Sequence, residues 1–341
     1  MARLYPLLGI NVRLVVLGHA RPSRTARGSG PMTCGLNTAA ITPGFSSWRW
    51  RGSCVHVAGT ESSRAWLGST GHMVMRYRPR MSSRPDPADL PGVAGATGRY
   101  REWAPPAALR GCFGQLWRSD LPVGHSGEVA VLPDGCVDIL WRDGRLFVVG
   151  PDVVAAHPQL TPGAQVLGAR FQPGAARAWL GLPLSEIVGT AVELDAVLGV
   201  RARRMAARLN AVGDAEVRQQ VFARELAGVA GNGNGTADAA AAQVFAQVRA
   251  GRGDLAGVST TLQMSTRSLR RLCHAQFGYG PKMLERILRL QRLLAMARAR
   301  PGDGLAGLAA DVGYADQSHL SREVRALAGI GAAQLCAQWR S

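Results

Sequence analysis

The stretches Ser265-Thr-Arg-Ser-Leu-Arg-Arg-Leu-Cys-His-Ala-Gln-Phe277 and Asp316-Gln-Ser-His-Leu-Ser-Arg-Glu-Val-Arg-Ala-Leu327 decide how this chain folds. Each opens on a residue whose side-chain oxygen can accept from an orphan N–H one turn on, the mark of a helix start. In the first, Leu269, Cys273 and Phe277 recur at i, i+4 and i+8, while Thr266, Arg267, Arg270, Arg271 and His274 take the other faces. In the second, Leu320, Val324 and Leu327 form the apolar stripe, and Gln317, Ser318, His319, Ser321, Arg322 and Arg325 the polar side. Such spacing predicts helices with an apolar back and an arginine-rich front. Each is preceded by a shorter helical run and a tight break. Asp254 can cap a run to about Leu262 before Gln263-Met264; Leu305 to Asp311 precedes Val312-Gly-Tyr-Ala315. Short helix, tight turn and second helix make a helix-turn-helix.

The two copies are an internal repeat. A shift of 51 residues lays Ser265 on Asp316, Leu269 on Leu320, Cys273 on Val324 and Gly278 on Gly329. Before the turn the shift is 50, with Val258 on Leu308 and Leu262 on Val312, so the second turn is one residue longer. Between the copies, Pro281 suits a first helical turn. Met283, Ile287, Leu290, Leu294 and Ala297 then share one face of a run to Ala299, with Lys282, Glu285, Arg286, Arg289 and Arg292 along another. At ~1.5 Å per residue this connector is roughly 28 Å long. That is close to the ~34 Å between successive major-groove faces of a duplex.

Upstream, Thr236 or Asp238 can cap a helix through Val248. Gly231-Asn-Gly-Asn-Gly235 cannot hold a core and reads as a linker. Residues 96–230 read as a β-rich regulatory domain with helices. Glu128 to Leu132, Cys136 to Trp141 and Leu146 to Val149 are strand-like, with Pro133-Asp-Gly135 and Asp143-Gly144 between them. Asp-Gly between apolar runs is a hairpin signal. Ala164 to Phe171 fits another strand; Ala175 to Leu180, Leu184 to Val188, Ala196 to Leu209 and Asp214 to Val229 fit helices. Residues 1–95 carry no sustained period. They read either as a basic nucleic-acid-binding arm or as an extension outside the fold, disordered or preceding a start at Met75 or Met81. The lack of a packing pattern and of regular basic spacing favours the second.

Charge divides the chain in the same way. Residues 1–80 hold 11 Arg against Glu61 alone, residues 81–250 balance 16 basic against 16 acidic side chains, and residues 251–341 hold 13 basic against 6 acidic. A neutral body with a basic end suits a polyanion partner. Lys282 is the only lysine among 40 basic residues, a coding bias more than a chemical choice. The six cysteines show neither C-x-x-C nor zinc spacing. No apolar run reaches the ~18 residues of a membrane span. Motifs of serine hydrolases, zinc proteases and P-loop enzymes are absent from the sequence.

Residues 236–341 resemble the double helix-turn-helix domain of the AraC/XylS family of bacterial transcription regulators. The resemblance is carried by Met264-Ser-Thr-Arg-Ser-Leu-Arg-Arg271, Phe277-Gly-Tyr-Gly-Pro-Lys282, Leu288-Arg-Leu-Gln-Arg292 and Val312-Gly-Tyr-Ala-Asp-Gln-Ser-His-Leu-Ser-Arg322. Gln263 replaces the usual turn Gly, Val324 stands where Phe is usual, and Ala332 where Pro usually follows. Leu132-Pro-Asp-Gly-Cys-Val-Asp-Ile139 resembles the N-terminal domain of a subgroup of such regulators.

The fold this implies is α+β: a β-rich sensor, then an all-α domain of two helix-turn-helix units on a long helix. The implied DNA-binding residues are Thr266, Arg267, Ser268, Arg270 and Arg271 in the first unit, and Gln317, Ser318, His319, Ser321 and Arg322 in the second. Arginine can fork onto guanine O6 and N7, and Gln317 can read adenine. Any one of these arginines could hold phosphate instead, and His319 could simply face solvent. Lys282 and Arg286 are expected at phosphate or solvent. The expected partner is double-stranded DNA. RNA polymerase, a small-molecule effector of unknown identity and a second copy of the chain are further candidates. No catalytic residue, metal or cofactor is expected, and the expected location is the bacterial cytoplasm without membrane attachment. The competing reading is a DNA-repair or thiol- or metal-based sensor with a DNA-binding tail. It would use Cys136, or His125, Glu128, Asp138 and His157. A buried structural role for Cys136 is favoured, since nothing basic abuts it in sequence.

Overall fold

Asp143 and Gly144 both take positive φ, 50° and 75°, the backbone of a tight hairpin turn. They join β3 (Asp138–Arg142) to β4 (Arg145–Val149), which pair antiparallel. Around this hairpin the computed structural model builds a six-stranded antiparallel sheet with β1 (Arg99–Trp103), β2 (Phe113–Asp120), β5 (Gln165–Phe171) and β6 (Ala191–Glu193). The strand order is β6-β4-β3-β5-β2-β1. The structure describes residues 98–125, 129–230, 236–251 and 255–340, with a few short strands further upstream. The chain divides into two compact units, 1–80 and 81–341. In the first, Arg13–Leu14 pairs with Val57–Ala58, and Arg64–Leu67 with Met73–Arg76. The rest of the expected extension, the 231–235 linker, Glu128 and Asp254 lie outside the described residues.

One face of the sheet carries the core. Ile139, Trp141, Leu146, Val148, Leu167 and Ala169 point into it, covered by α1 (Ala176–Leu180), α2 (Leu194–Leu198), α3 (Val200–Asn210) and α4 (Ala215–Ala230). Phe113 stacks on Phe171 at 4.4 Å, and Trp179 meets both edge-on. Burying side chains of this size contributes ~1.5–3 kcal/mol each. Asn210 pins the helices to the hairpin by accepting from Trp141 Nε1 at 3.0 Å and donating to the Gly144 carbonyl at 2.8 Å. On the other face the Trp117 indole lies on Gly168, where a Cβ would come within 2.0 Å of the ring. Its N–H donates to Asp138.

Some sequence expectations are corrected. Arg99–Trp103, Phe113–Asp120 and Ala191–Glu193 are strands that the pattern did not indicate. The run 196–209 is two helices, broken at Gly199 with φ 58° and ψ −133°. Leu184–Glu186 is a single 3-10 turn. Val129–Ala130 does not join β3; it pairs in parallel with Gly92–Val93.

The helical region follows. Asp238 caps α5 (Ala239–Ala250) by accepting from Ala241 N–H at 2.9 Å. Next come α6 (Leu255–Thr261), α7 (Thr266–Phe277), α8 (Pro281–Ala299), α9 (Leu305–Asp311), α10 (Gln317–Ala328) and α11 (Ala332–Arg340). Two cores form. Val244, Phe245, Val258, Leu269, Cys273 and Phe277 surround the N-terminal half of α8; Leu308, Val312, Leu320, Val324, Leu327 and Leu335 surround its C-terminal half.

Candidate nucleic-acid interface

The two turns have the same hydrogen-bond pattern. Leu262, Gln263 and Met264 donate to Val258, Thr260 and Ser259; Val312, Gly313 and Tyr314 donate to Leu308, Ala310 and Ala309. Gln263 takes φ 51° and Gly313 φ 83°, so the position needs a left-handed residue, and Gln fills it at a steric cost of ~1–2 kcal/mol. The match holds through Tyr314 at a shift of 50. The extra residue of the second turn is therefore Ala315. Ser265 then caps α7 through Ser268 N–H at 3.1 Å, and Asp316 caps α10 through His319 N–H at 2.6 Å. Both helices end on left-handed glycines, Gly278 and Gly329.

This frame turns the polar sides outward. Thr266, Arg267, Arg270 and Arg271 on α7 are exposed, as are Gln317, Ser318 and Arg322 on α10. Ser268 is half-buried and its hydroxyl accepts from Ser265. Ser321 is half-buried on α10. Among the described residues none of Arg267, Arg270, Arg271 and Arg322 has an acidic partner or a hydrogen bond. His319 differs. Its Nδ1 accepts from Ala315 N–H at 3.4 Å, its ring meets Tyr314 edge-on at 5.4 Å, and its Nε2 lies 3.7 Å from Glu323 Oε2.

The connector's charged side is not a solvated face. Lys282 alone of its basic residues in the first two turns is exposed. Arg286 Nε donates to Glu323 Oε1 at 2.8 Å, correcting its expected place at phosphate or solvent. Arg289 donates to the Gly313 carbonyl and to Glu285, and lies 5.2 Å over the Tyr314 ring. Arg292 donates to the Val248 carbonyl at 2.6 Å, closing the end of α5. Glu323 was missed by sequence reading, since a Glu amid polar neighbours on a helix reads as surface; it is 7% exposed.

The sheet region meets both repeats along one seam. Leu132 and Ala155 belong to the second core, while Cys136, Val153 and Val188 pack on the first. Ala155 N–H donates to the Leu327 carbonyl at 2.7 Å, and Gln291 donates to the Pro133 carbonyl at 2.8 Å. At Gly278 a Cβ would stand 2.4 Å from Val188 Cγ2. Arg170 holds the seam loop to the sheet by pairing with Asp134 at 2.9 Å and Asp138 at 3.2 Å. Burial pushes the Asp152 carboxyl up to about 7, helped by Asp134 and Asp138. Burial likewise pushes the Cys136 thiol well up, which removes the thiolate a redox or alkylation sensor needs. Among the described residues no His, Cys, Asp and Glu side chains cluster as metal ligands. None of the helices described is long and apolar enough to cross a membrane.

Two helix-turn-helix repeats on one connector, with exposed arginines on both second helices, define a DNA-binding transcription regulator. Residues 258–337 match a family described as a helix-turn-helix domain, and this domain is of the AraC/XylS type. Residues 101–193 match a family described as a domain of unknown function (DUF6597). No curated protein matches the sequence. Among solved structures, an apo variant of ToxT from Vibrio cholerae strain SCE256 is 10% identical, over 71% of this chain and 99% of that chain, with a TM-score of 0.37. ToxT from Vibrio cholerae O395 is 10% identical, over 70% and 96%, with a TM-score of 0.37. Likeness at that level fixes no ligand for this chain.

Proposed function

We propose that the chain is a one-component bacterial transcription regulator whose α7 and α10 enter adjacent major-groove segments of one duplex. Residues 96–230 sense a signal, which a small-molecule effector would carry, and pass it through the seam. The 231–235 linker separates the two parts in sequence, and the protein acts in the cytoplasm, where RNA polymerase is its natural downstream contact. The supporting observation is the repeat itself: two capped helices, each with exposed arginines, on a 19-residue connector. Ordinary helix-turn-helix proteins need a two-fold dimer to span successive major grooves, whereas here one chain brings both helices. Arg267, Arg270, Arg271 and Arg322 are the proposed base-edge contacts, with Gln317 and Ser318. Thr266, Ser268 and Ser321 are proposed at the backbone.

The test uses the full-length protein and a duplex it selects from a random-sequence library. Footprinting should show two protected segments bound by one chain, with affinity falling by a log–log salt slope of about −0.9 per phosphate neutralised. Inserting 5 bp between the segments turns one by roughly half a helical turn, and a rigid connector cannot follow. Indifference to the insertion, a single protected segment, or binding only as a dimer on a palindrome would refute the reading.

A further inference from the structure

The second turn is one residue longer than the first, and that residue brings a backbone N–H with no counterpart in the first repeat. The shared hydrogen-bond pattern ends at Tyr314, so Ala315 N–H is the orphan. His319 accepts it through Nδ1. His319, at the third helical position, thus reaches one residue beyond the N-cap Asp316, whereas the Glu or Gln of a capping box would take the N–H of the N-cap itself. An imidazole nitrogen that accepts carries no proton. The proton of neutral His319 is therefore on Nε2, the nitrogen that faces Glu323 Oε2 at 3.7 Å. That oxygen is buried and has no hydrogen-bond partner, while its twin Oε1 accepts from Arg286. Arg289 stands 3.9 Å from Oε2, and holds Gly313 and the Tyr314 ring at the same time.

We infer that Glu323 and His319 are positioning residues for the second recognition helix. The relay from Arg286 and Arg289 through Glu323 to His319 and Ala315 ties the first turn of α10 to the connector. Gln317 and Ser318 then meet the duplex at a pitch fixed relative to α7, which packs on the same connector. Both ring nitrogens of the half-exposed His319 face protein groups, Ala315 N–H and Glu323, so a positioning role rather than a base contact is assigned to it. The first repeat has no such relay: the 51-residue shift puts Ser268 in place of His319 and Leu272 in place of Glu323. Loss of the relay must therefore be felt in one half of the operator only. The charged and titratable groups facing the pair are Arg286, Arg289 and Glu285 from the connector, Tyr314 from the turn and the capping Asp316.

The inference rests on the reading that α10 enters DNA. The probe is the duplex selected by the wild-type full-length protein, with single-base changes placed in each half. Glu323→Ala and His319→Ala should lose discrimination roughly tenfold, about 1.4 kcal/mol, in the half nearest α10 and keep it in the half nearest α7. His319→Gln, whose amide oxygen can still accept from Ala315 N–H, should restore most of it. A ¹⁵N spectrum of His319 in the unliganded wild type should show the Nε2–H tautomer, which needs no variant to fold. Equal weakening across both halves, no rescue by Gln, or an Nδ1–H tautomer would overturn the inference. Failure of the underlying DNA reading looks different: the wild type itself would select no two-part site.

Discussion

Gly278 and Gly329 occupy the same place in the two repeats and the same backbone region, φ 80°, ψ −11° and φ 76°, ψ −18°. Alanine at either position must enter left-handed space at ~1–2 kcal/mol. Their surroundings differ. A Cβ at Gly329 has nothing within 4 Å, while one at Gly278 meets Val188 Cγ2 at 2.4 Å and the Leu184 carbonyl oxygen at 2.9 Å. Val188 can rotate, but the Leu184 carbonyl is backbone. Carbon contacts sit near ~3.5–4.0 Å, so the 3-10 turn at Leu184–Glu186 must retreat by roughly half an ångström or more. Overpacking of this kind costs ~1–3 kcal/mol. Gly278→Ala should therefore destabilise by about 2–5 kcal/mol and Gly329→Ala by about 1–2 kcal/mol. Calorimetry should separate them by several degrees, at ~2–4 °C per kcal/mol for a fold of this size. Hydrogen exchange supplies the local readout: the Asp238 amide, which donates to the Gly174 carbonyl across the seam, should exchange faster in Gly278→Ala only. Equal melting losses with unchanged seam amides would show that the two regions are not in contact at α7.

Three further outcomes are expected. Arg267→Ala and Arg322→Ala should each cost ~1–3 kcal/mol on the selected duplex and flatten preference at one position; uniform weakening in competition binding would demote them to phosphate contacts. Asp152 is held protonated in the folded state up to about 7, above the ordinary carboxylate range. The folded state then binds the extra proton, so stability falls as pH rises from about 4 through about 7 and levels off beyond. Asp152→Asn should remove that slope in denaturant titrations, and an unchanged slope would place its origin elsewhere. Gln263→Gly should raise stability by about 1 kcal/mol, since the turn already holds φ 51° there; a loss would mean that the Gln side chain compensates for the strain.

The parts of the fold that were legible are those whose information is local. Ser265 and Asp316 cap as their chemistry predicts, the i, i+4 stripes are buried, and Asp143-Gly144 turns the β3–β4 hairpin. Strand β2 was not legible because a bulge spoils its period. Arg170 pairs with Gln115 but Phe171 with Phe113, so Gly114 is skipped and Phe113 joins Leu116 on the inward face at a spacing of three. The exposure of the arginines on α7 and α10 was legible from helix periodicity. Glu323 was not, because its burial depends on Arg286 and Arg289, more than 30 residues earlier and on another helix. The seam was invisible for the same reason: Leu132 and Ala155 complete a core whose other members begin at Leu290.

Under the proposed function, the connector is the element through which the sheet region would act on both helix-turn-helix units. Helix α8 is the shared beam, but the repeats are fixed to it by different joints: Arg292 ties it to α5 in the first, Arg286 and Arg289 tie it to α10 in the second. Among the seam's contacts, one lies at the end of each second helix. Leu184 and Val188 press on the end of α7 at Gly278, while Ala155 bonds to the Leu327 carbonyl near the end of α10. Both contacts lie at the C-terminal ends of the recognition helices, away from the N-terminal residues that meet base edges in helix-turn-helix complexes. Under the proposed function, a signal in the sheet region would not need to uncover the polar faces of α7 and α10, which are already exposed. On the same proposal, a shift at the far end of either helix would tilt its near end against the duplex. The same loops reach both units, Leu132 and Ala155 packing on the second core and Cys136 and Val153 on the first, so under the proposed function a shift of either loop would be felt by both helix-turn-helix units.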